Sequence, residues 1–401
     1  MKTSCDVIVV GAGIVGATLA AALQREGFTV AVIDRRAPVL NWPPESLDAR
    51  VSAMTRASEN IFRHLGVWEE MAASAGVFRK MTVWEAASGG ELHFDASEIA
   101  ADALGHIVEN RVITRALHRL LAQHGEQVQC WYDVGILALR RSADRVTVIL
   151  SNGDELTAPL LVGADGKDSG VRERCGISTV GWHYAQRALV ANVRPERFHE
   201  ETAWQRFLAG GPLAFLPLRE GLCTIVWSSP AEAVQRLETL PAREFAAELS
   251  EAFGHRLGRI VAVGPRASFA LRFQLARRAV ARRVALIGDA AHTVHPLAGQ
   301  GANLGLVDAA VLAETLAAVR SQGGDFGADA VLRRYERRRK PDVLLFSAVI
   351  DGVKRVFSFD PPGFAGLRRL GVTAVHRFTP LNHLLMRRAM GLAGDLPALA
   401  R

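Results

Sequence analysis

Hydrophobic and polar positions change their spacing several times along the chain, and each change marks an element. Residues 6–10, DVIVV, are a short β-branched apolar run, and GAGIVGATLAAALQREG follows without a break. That order predicts a buried strand, a glycine turn and a helix whose small residues pack closely. TVAVID (29–34) repeats the strand signature and stops at an acid. LTAPLLVGADGKDSGVRERCG (156–176) reads as one strand ending in a tight turn with a helical start, and RRVALIGDAAHTVHP (282–296) places a further strand ahead of Asp289.

A different pattern fills the intervals. MTVWEAASGGELHFDA predicts a hairpin turning at Gly89 and Gly90, while RALVANVR (187–194), LAFLPLREGLCTIVWSS (213–229) and ASFALRF (267–273) alternate in polarity as half-buried strands do. LVDAAVLAETLAAVR (306–320) predicts a helix, as do DVLLFSAVIDGVKRVFS (342–358) and LNHLLMRRAMGL (381–392), both with apolar spacing on one face and Arg/Lys on the other.

Composition narrows the class. In 401 residues, 49% hydrophobic and 22% charged is the balance of a folded chain with a sizeable core, enough for one large or two ordinary domains. The four cysteines are scattered without a C-x-x-C pair, so neither a disulfide framework nor a zinc knuckle is indicated, and a reducing cytoplasm is the expected setting. The N-terminal apolar run is too short for a signal peptide, and no window is an uncharged spanning segment, so a soluble or peripheral protein is expected.

The net charge of +7 is unevenly placed: residues 333–401 hold 14 Lys/Arg against 5 Asp/Glu, and the rest 34 against 36. RRYERRRK (333–340) could bind nucleic acid by charge alone, but without aromatic interleaving it reads as the solvated face of a helix, and no nucleic-acid partner is expected.

The first chemical signal is the G-x-G-x-x-G at 11–16. Gly11 makes the tight turn, Gly13 lets the backbone approach a pyrophosphate, and Gly16 brings the helix against the sheet, with the helix N-terminus facing the phosphates. Asp34, about twenty residues on, stands where an acid bonds a ribose hydroxyl. Both NAD and FAD fit these residues. Three strand-ending acids, Asp34, Asp165 and Asp289, exceed the needs of a simple NAD dehydrogenase and favour a longer ligand.

The motifs GAGIVG (11–16), GADGKDSGVR (163–172) and GDAAHTVHP (288–296), in this order and spacing, resemble those of the FAD-dependent aromatic hydroxylases with the para-hydroxybenzoate-hydroxylase fold. Residues 48–71, 104–121, 202–218, 295–310 and LLMRRAMGLAGDLP further resemble the ubiquinone-biosynthesis hydroxylase subfamily over nearly the whole length. Members commonly read A-D-G-x-N-S; Asp168 replaces the Asn here, which removes a side-chain donor and puts a contact at this position in doubt.

The resemblance implies an α/β fold: a discontinuous Rossmann-like FAD-binding domain (1–75, 104–180, 275–340), a β-sheet substrate domain (76–103, 181–274) and a C-terminal helical region (341–401). It implies that Gly11, Gly13, Gly16 and Asp34 hold the adenosine half of FAD, with Arg35 also at the cofactor, and that Arg50 and Arg115 reach it. A surface salt bridge is the alternative for each arginine. Asp165 and Asp289 would meet the cofactor's sugar chain, although Asp289 could equally cap the following turn. Pro296, Gly299, Gly301, Asn303 and Leu304 would border the flavin ring, where N–H groups at a helix start stabilise the charge of the reduced ring. Phe215, Pro217 and Trp227 would line the substrate pocket, plain core being the alternative. His292, His295 and Asp289 lack a further metal ligand at helpful spacing, so local hydrogen bonding is expected of the histidines and no metal site is assigned.

The implied activity is hydroxylation of the aromatic ring of a lipophilic polyprenylated phenol in ubiquinone biosynthesis, through a flavin C4a-hydroperoxide, with LGHIVEN and TAWQRF leaning toward the C5 step. FAD is the cofactor, NAD(P)H or another reductant a transient donor in the absence of a second Rossmann fingerprint, and O2 the co-substrate. No side chain is assignable as a catalytic acid or base. Two other classes stay open: a flavin reductase acting on an isoprenoid, and a flavin-binding scaffold within a quinone biosynthetic assembly. The basic C-terminal helices could pack on the flavin domain or lie on an anionic membrane surface.

Overall fold

The computed structural model describes residues 1–43, 46–85, 90–294, 301–358, 387–388 and 390–401. Among them the helices are α1 (Ile14–Arg25), α2 (Arg56–His64), α3 (Trp68–Ala72), α4 (Asn110–Gln123), α5 (Gly170–Arg174), α6 (Ala231–Thr239), α7 (Ala242–Ala252), α8 (Gly301–Arg320) and α9 (Asp329–Ser358).

The β-branched runs buried on both faces assemble into one sheet, as parallel strands do. Its order is Val280–Ala281, Val284–Leu286, Leu160–Gly163, Val7–Val10, Val30–Ile33, Val128–Trp131, parallel apart from the first strand. Val10 is level with Ile33 and with Gly163, and Gly163 with Leu286. The residues that follow, Gly11, Asp34, Ala164 and Ile287, therefore emerge together at the carboxyl edge. Helix α1 packs between α4 and α8. At that contact a Cβ on Gly305 would come within 2.6 Å of Val15 Cγ2, so only glycine lets α8 approach this closely.

The alternating segments form an antiparallel-dominated eight-stranded sheet, ordered His292–Thr293, Ile260–Ala276, Thr179–Pro195, Cys223–Pro230, Gly211–Pro217, Thr202–Leu208, Lys80–Glu85, Glu91–Asp95. The expected hairpin is its edge, Lys80–Glu85 against Glu91–Asp95. Helices α6 and α7 cover one face. A small sheet of Val51–Thr55, Gly105–Glu109 and Gly76–Phe78 lies between the two large ones.

Several expected boundaries shift. Residues 156–163 are two strands in two sheets, Glu155–Ala158 and Leu160–Gly163, because Pro159 has no N–H to continue a ladder. Strands Thr179–Pro195 and Ile260–Ala276 run straight through the 180/181 and 274/275 divisions, and Gly76–Phe78 pairs with the flavin-side strand Gly105–Glu109. The 340/341 division falls inside α9, which continues through Pro341.

RRYERRRK is not a wholly solvated face either. Tyr335 is buried and donates to the Leu286 carbonyl at 3.0 Å, Arg338 pairs with Glu314 and Asp395, and Arg339 is 4% exposed. Residues 390–401 pack on α2 and α8: Ala57 N–H donates to Met390 O, Asn60 Nδ2 to Ala400 O, and Ala398 N–H to Glu314. Helix α8 is long and apolar enough to cross a membrane by length and composition, yet it is buried between α1 and α9 as a core helix.

Candidate active site

The glycine turn is fixed from both sides. Gly11 sits at φ +108°, and a Cβ there would lie 2.3 Å from the Ala164 carbonyl; a Cβ on Gly16 would lie 1.9 Å from Gly11 O. Gly13 is different. It is the N-cap of α1 with no side-chain cap and no acid in the first turn, and a Cβ on it would meet nothing within 4 Å. The first N–H groups of α1 thus face an open cradle, the arrangement that receives a phosphate anion.

Asp34 closes this turn. Its Oδ2 accepts from Ala12 N–H at 2.7 Å and Oδ1 from Arg36 N–H at 3.0 Å, which fixes the carboxylate beside the cradle with lone pairs left for a sugar hydroxyl. Arg35 is exposed next to it.

Asp165 serves the start of α5, accepting from the Ser169 hydroxyl and Val171 N–H. Arg172, absent from the sequence-based set, joins the second and third motifs: Nη1 donates to Ala290 O and Nη2 to Lys167 O, both at 2.9 Å. Asp168 pairs with Arg272 at 2.9 Å, so the residue that departs from the family pattern makes an ion pair to the eight-stranded sheet.

Asp289 is surface-accessible and has no side-chain partner among the described residues. Protein walls on its other sides desolvate the carboxylate and push its pKa up, against the opposing pull of His292, Arg272 and Lys167. Its neighbour His292 turns away to Asp308 at 2.6 Å, a local hydrogen bond. His295, Pro296 and Gly299 lie outside the described residues.

Gly301 opens α8 with free space around its Cβ position and no acid in the first turn, and Leu304 is half-buried in that turn. Asn303 is 4% exposed and spends its side chain on protein: Oδ1 accepts from Thr55 N–H and the Ser58 hydroxyl, and Nδ2 donates to Ala53 O. It bolts α8 to the strand Val51–Thr55.

The two arginines differ in their surroundings. Arg115 pairs with Glu70 at 3.1 Å and lies over Trp42, 4.6 Å from the ring centroid. Arg50 is exposed with no side-chain partner among the described residues.

The pocket assignments of Phe215 and Trp227 need correction. Phe215 is fully buried and stacks on Phe253, which caps the C-terminus of α7, at 3.9 Å, and Trp227 belongs to the same helix-covered core. Pro217 shares their side of the pleat and ends its strand against Gly76. The opposite face carries Gln205, Ala214, Leu216 and Val226. Leu216 packs with Val51, Ala53 and Ile107, so this second face is the one turned to the flavin-binding layer. Period-two alternation gives two faces but not which of them a helix covers.

His118 was also missing from the sequence-based set. It is 3% exposed on α4 and touches the Ala12 carbonyl. No sequence signal marks it, because its partner is a backbone atom 106 residues away.

The family described as FAD binding domain matches residues 4–345. The chain is 41% identical to ubiquinone hydroxylase UbiL of Rhodospirillum rubrum over 99% of its length and 92% of that protein. It is 34% identical to 3-demethoxyubiquinol 3-hydroxylase of Escherichia coli (96% and 98% covered) and 32% identical to the mitochondrial ubiquinone biosynthesis monooxygenase COQ6 of Homo sapiens (96% and 92%). Its fold matches p-nitrophenol 4-monooxygenase PnpA of Pseudomonas putida with a TM-score of 0.81 at 20% identity, covering 98% of this chain and 100% of that one. An open phosphate cradle, three acids at one sheet edge and kinship over the full length converge: the chain belongs to the FAD-dependent aromatic hydroxylases, in the group of the ubiquinone-biosynthesis hydroxylases, and is an FAD-dependent monooxygenase.

Proposed function

We propose that this enzyme hydroxylates the aromatic ring of a polyprenylated phenol in ubiquinone biosynthesis, at the C5 step, with NAD(P)H as a visiting electron donor. The observation that carries the reading is what gathers at the carboxyl edge of the parallel sheet. The start of α1, which has no side-chain cap, and the first turns of α8 flank Asp289, and the face of Gln205, Ala214, Leu216 and Val226 is turned toward the same layer. FAD bound there supplies oxygen activation and delivery of an electrophilic oxygen to an electron-rich ring.

The protein's part is placement. Gly13 would admit the pyrophosphate to α1, Asp34 and Asp289 would hold sugar hydroxyls, and the first turn of α8 would favour negative charge beside it. The sheet face of Gln205, Ala214, Leu216 and Val226 would exclude water and orient the phenol. No side-chain nucleophile is required.

The exposed Leu344, Leu345 and Val349 of α9, beside Lys340 and Arg337, give a cytoplasmic enzyme a peripheral contact with the membrane in which such a substrate dissolves. Flotation with anionic vesicles checks this contact, and loss of flotation in a Leu344→Glu/Leu345→Glu variant is the expected result.

The decisive experiment is mass spectrometry of quinone precursors in a strain lacking the gene. Accumulation of a precursor lacking the C5 hydroxyl is expected. Accumulation at another ring position refutes the C5 step, and an unreduced isoprenoid chain would mean a flavin reductase instead. Oxygen uptake by purified protein that fails to rise with added phenol would refute hydroxylation.

A further inference from the structure

Asp308 lies on α8, past its first turn, and is 1% exposed. Its carboxylate nevertheless holds both ends of the turn that presents Asp289. Oδ2 accepts from Gly288 N–H at 3.0 Å and from His292 Nε2 at 2.6 Å, which places the ring proton on Nε2, and Oδ1 accepts from Arg339 Nε at 2.7 Å. Between the two gripped residues stands Asp289, with its own carboxylate unpartnered among the described residues.

The surroundings make this grip rigid. Gly288 is at φ +58°, and a Cβ on Gly305, one turn before Asp308, would lie 3.0 Å from Gly288 Cα, so α8 abuts the turn directly. Arg339 comes from α9, out of the basic run, and also pairs with Asp342. His292 Nδ1 and Arg339 Nη2 are buried without partners among the described residues, and both residues line a cavity of about 40 Å³, room for a water between α8, α9 and the turn.

We infer that Asp308, anchored by Arg339 and holding Gly288 and His292, is a positioning residue that sets the Asp289 carboxylate for the sugar chain of the cofactor, so that the C-terminal helix α9 takes part in cofactor affinity. A charged acceptor gripping two backbone-linked points four residues apart leaves the intervening side chain few orientations, and preorganisation of that kind is repaid as affinity. The inference rests on the reading that Asp289 bonds FAD.

The test is a double-substitution cycle on full-length protein, reading the FAD dissociation constant by quenching of flavin fluorescence and the visible circular dichroism of bound FAD. Asp308→Asn is expected to weaken FAD binding by about tenfold and change the dichroism, while in an Asp289→Ala background the same substitution changes the constant less than about twofold. Additive effects, or unchanged affinity in Asp308→Asn, overturn the inference. If Asp289→Ala alone leaves affinity unchanged, the reading of Asp289 fails and the positioning role with it. Should Asp308→Asn not fold, His292→Leu removes one donor and keeps Arg339 in place. It is expected to show a smaller loss with the same non-additivity, and additivity there overturns the inference equally.

Discussion

His118 Nε2 stands 2.8 Å from the carbonyl oxygen of Ala12, inside the glycine turn that receives the cofactor's phosphates. A carbonyl only accepts, so Nε2 carries the proton. Nδ1 then accepts from the Tyr132 hydroxyl at 2.7 Å. With Ala12 N–H given to Asp34, both polar groups of that residue's backbone are tied down.

Replacing His118 by Phe strands the Tyr132 hydroxyl and the Ala12 carbonyl, at a cost of about 1–3 kcal/mol in denaturant unfolding, and weakens FAD binding. His118→Gln, which can still donate to the carbonyl, should recover part of both. Equal losses in the two variants would show that the hydrogen bond to Ala12 does not matter.

Burial holds the pKa of His118 below its ordinary 6.5, so the folded state favours the neutral ring. The unfolded chain takes up the proton more readily, and this contribution to stability is complete above pH 6.5 and declines as pH falls below it. Unfolding free energy measured down from neutral pH should show this slope, and His118→Gln should flatten it.

Asp308 makes the acid limb. Burial opposes its ionisation, but the charges of His292 and Arg339 outweigh that and bring its pKa from 3.8 to about 2. Its stabilisation is present above pH 3.8 and lost as pH drops toward about 2. Urea unfolding of wild type against Asp308→Asn should converge in this window.

The two glycines at the cradle should separate folding from binding. Gly16→Ala places a methyl 1.9 Å from Gly11 O and should prevent folding or lower Tm sharply. Gly13→Ala meets no protein atom within 4 Å, so the apo protein should unfold at nearly the wild-type temperature while FAD affinity falls. Calorimetry with and without FAD decides, and an unaltered affinity in Gly13→Ala would put the pyrophosphate elsewhere.

On the eight-stranded sheet the two faces should answer differently. Phe215→Ala opens the core under α7 and should cost about 3–5 kcal/mol. Val226→Phe, on the opposite face, should leave stability nearly unchanged and raise KM for the phenol. A KM effect from Phe215→Leu with Val226→Phe silent would reverse the assignment of faces.

Local spacing was enough to place Gly11, Gly13, Gly16 and Asp34 on a strand–turn–helix–strand unit that binds a dinucleotide, because each constraint acts within one turn or one strand end, while the choice of FAD came from the resemblance carried by all three motifs. The hairpin at 80–95 and the long apolar helix α8 were legible for the same reason. Tertiary structure alone decided which face of the sheet lies under α7, so Phe215 and Trp227 became core. It also turned Arg339 of an apparently solvated basic run inward to Asp308, carried α9 through Pro341, and set His118 on the glycine turn. Those outcomes depend on contacts between residues tens to hundreds of positions apart, and on buried charges that find partners only when separate elements meet, which no local pattern encodes.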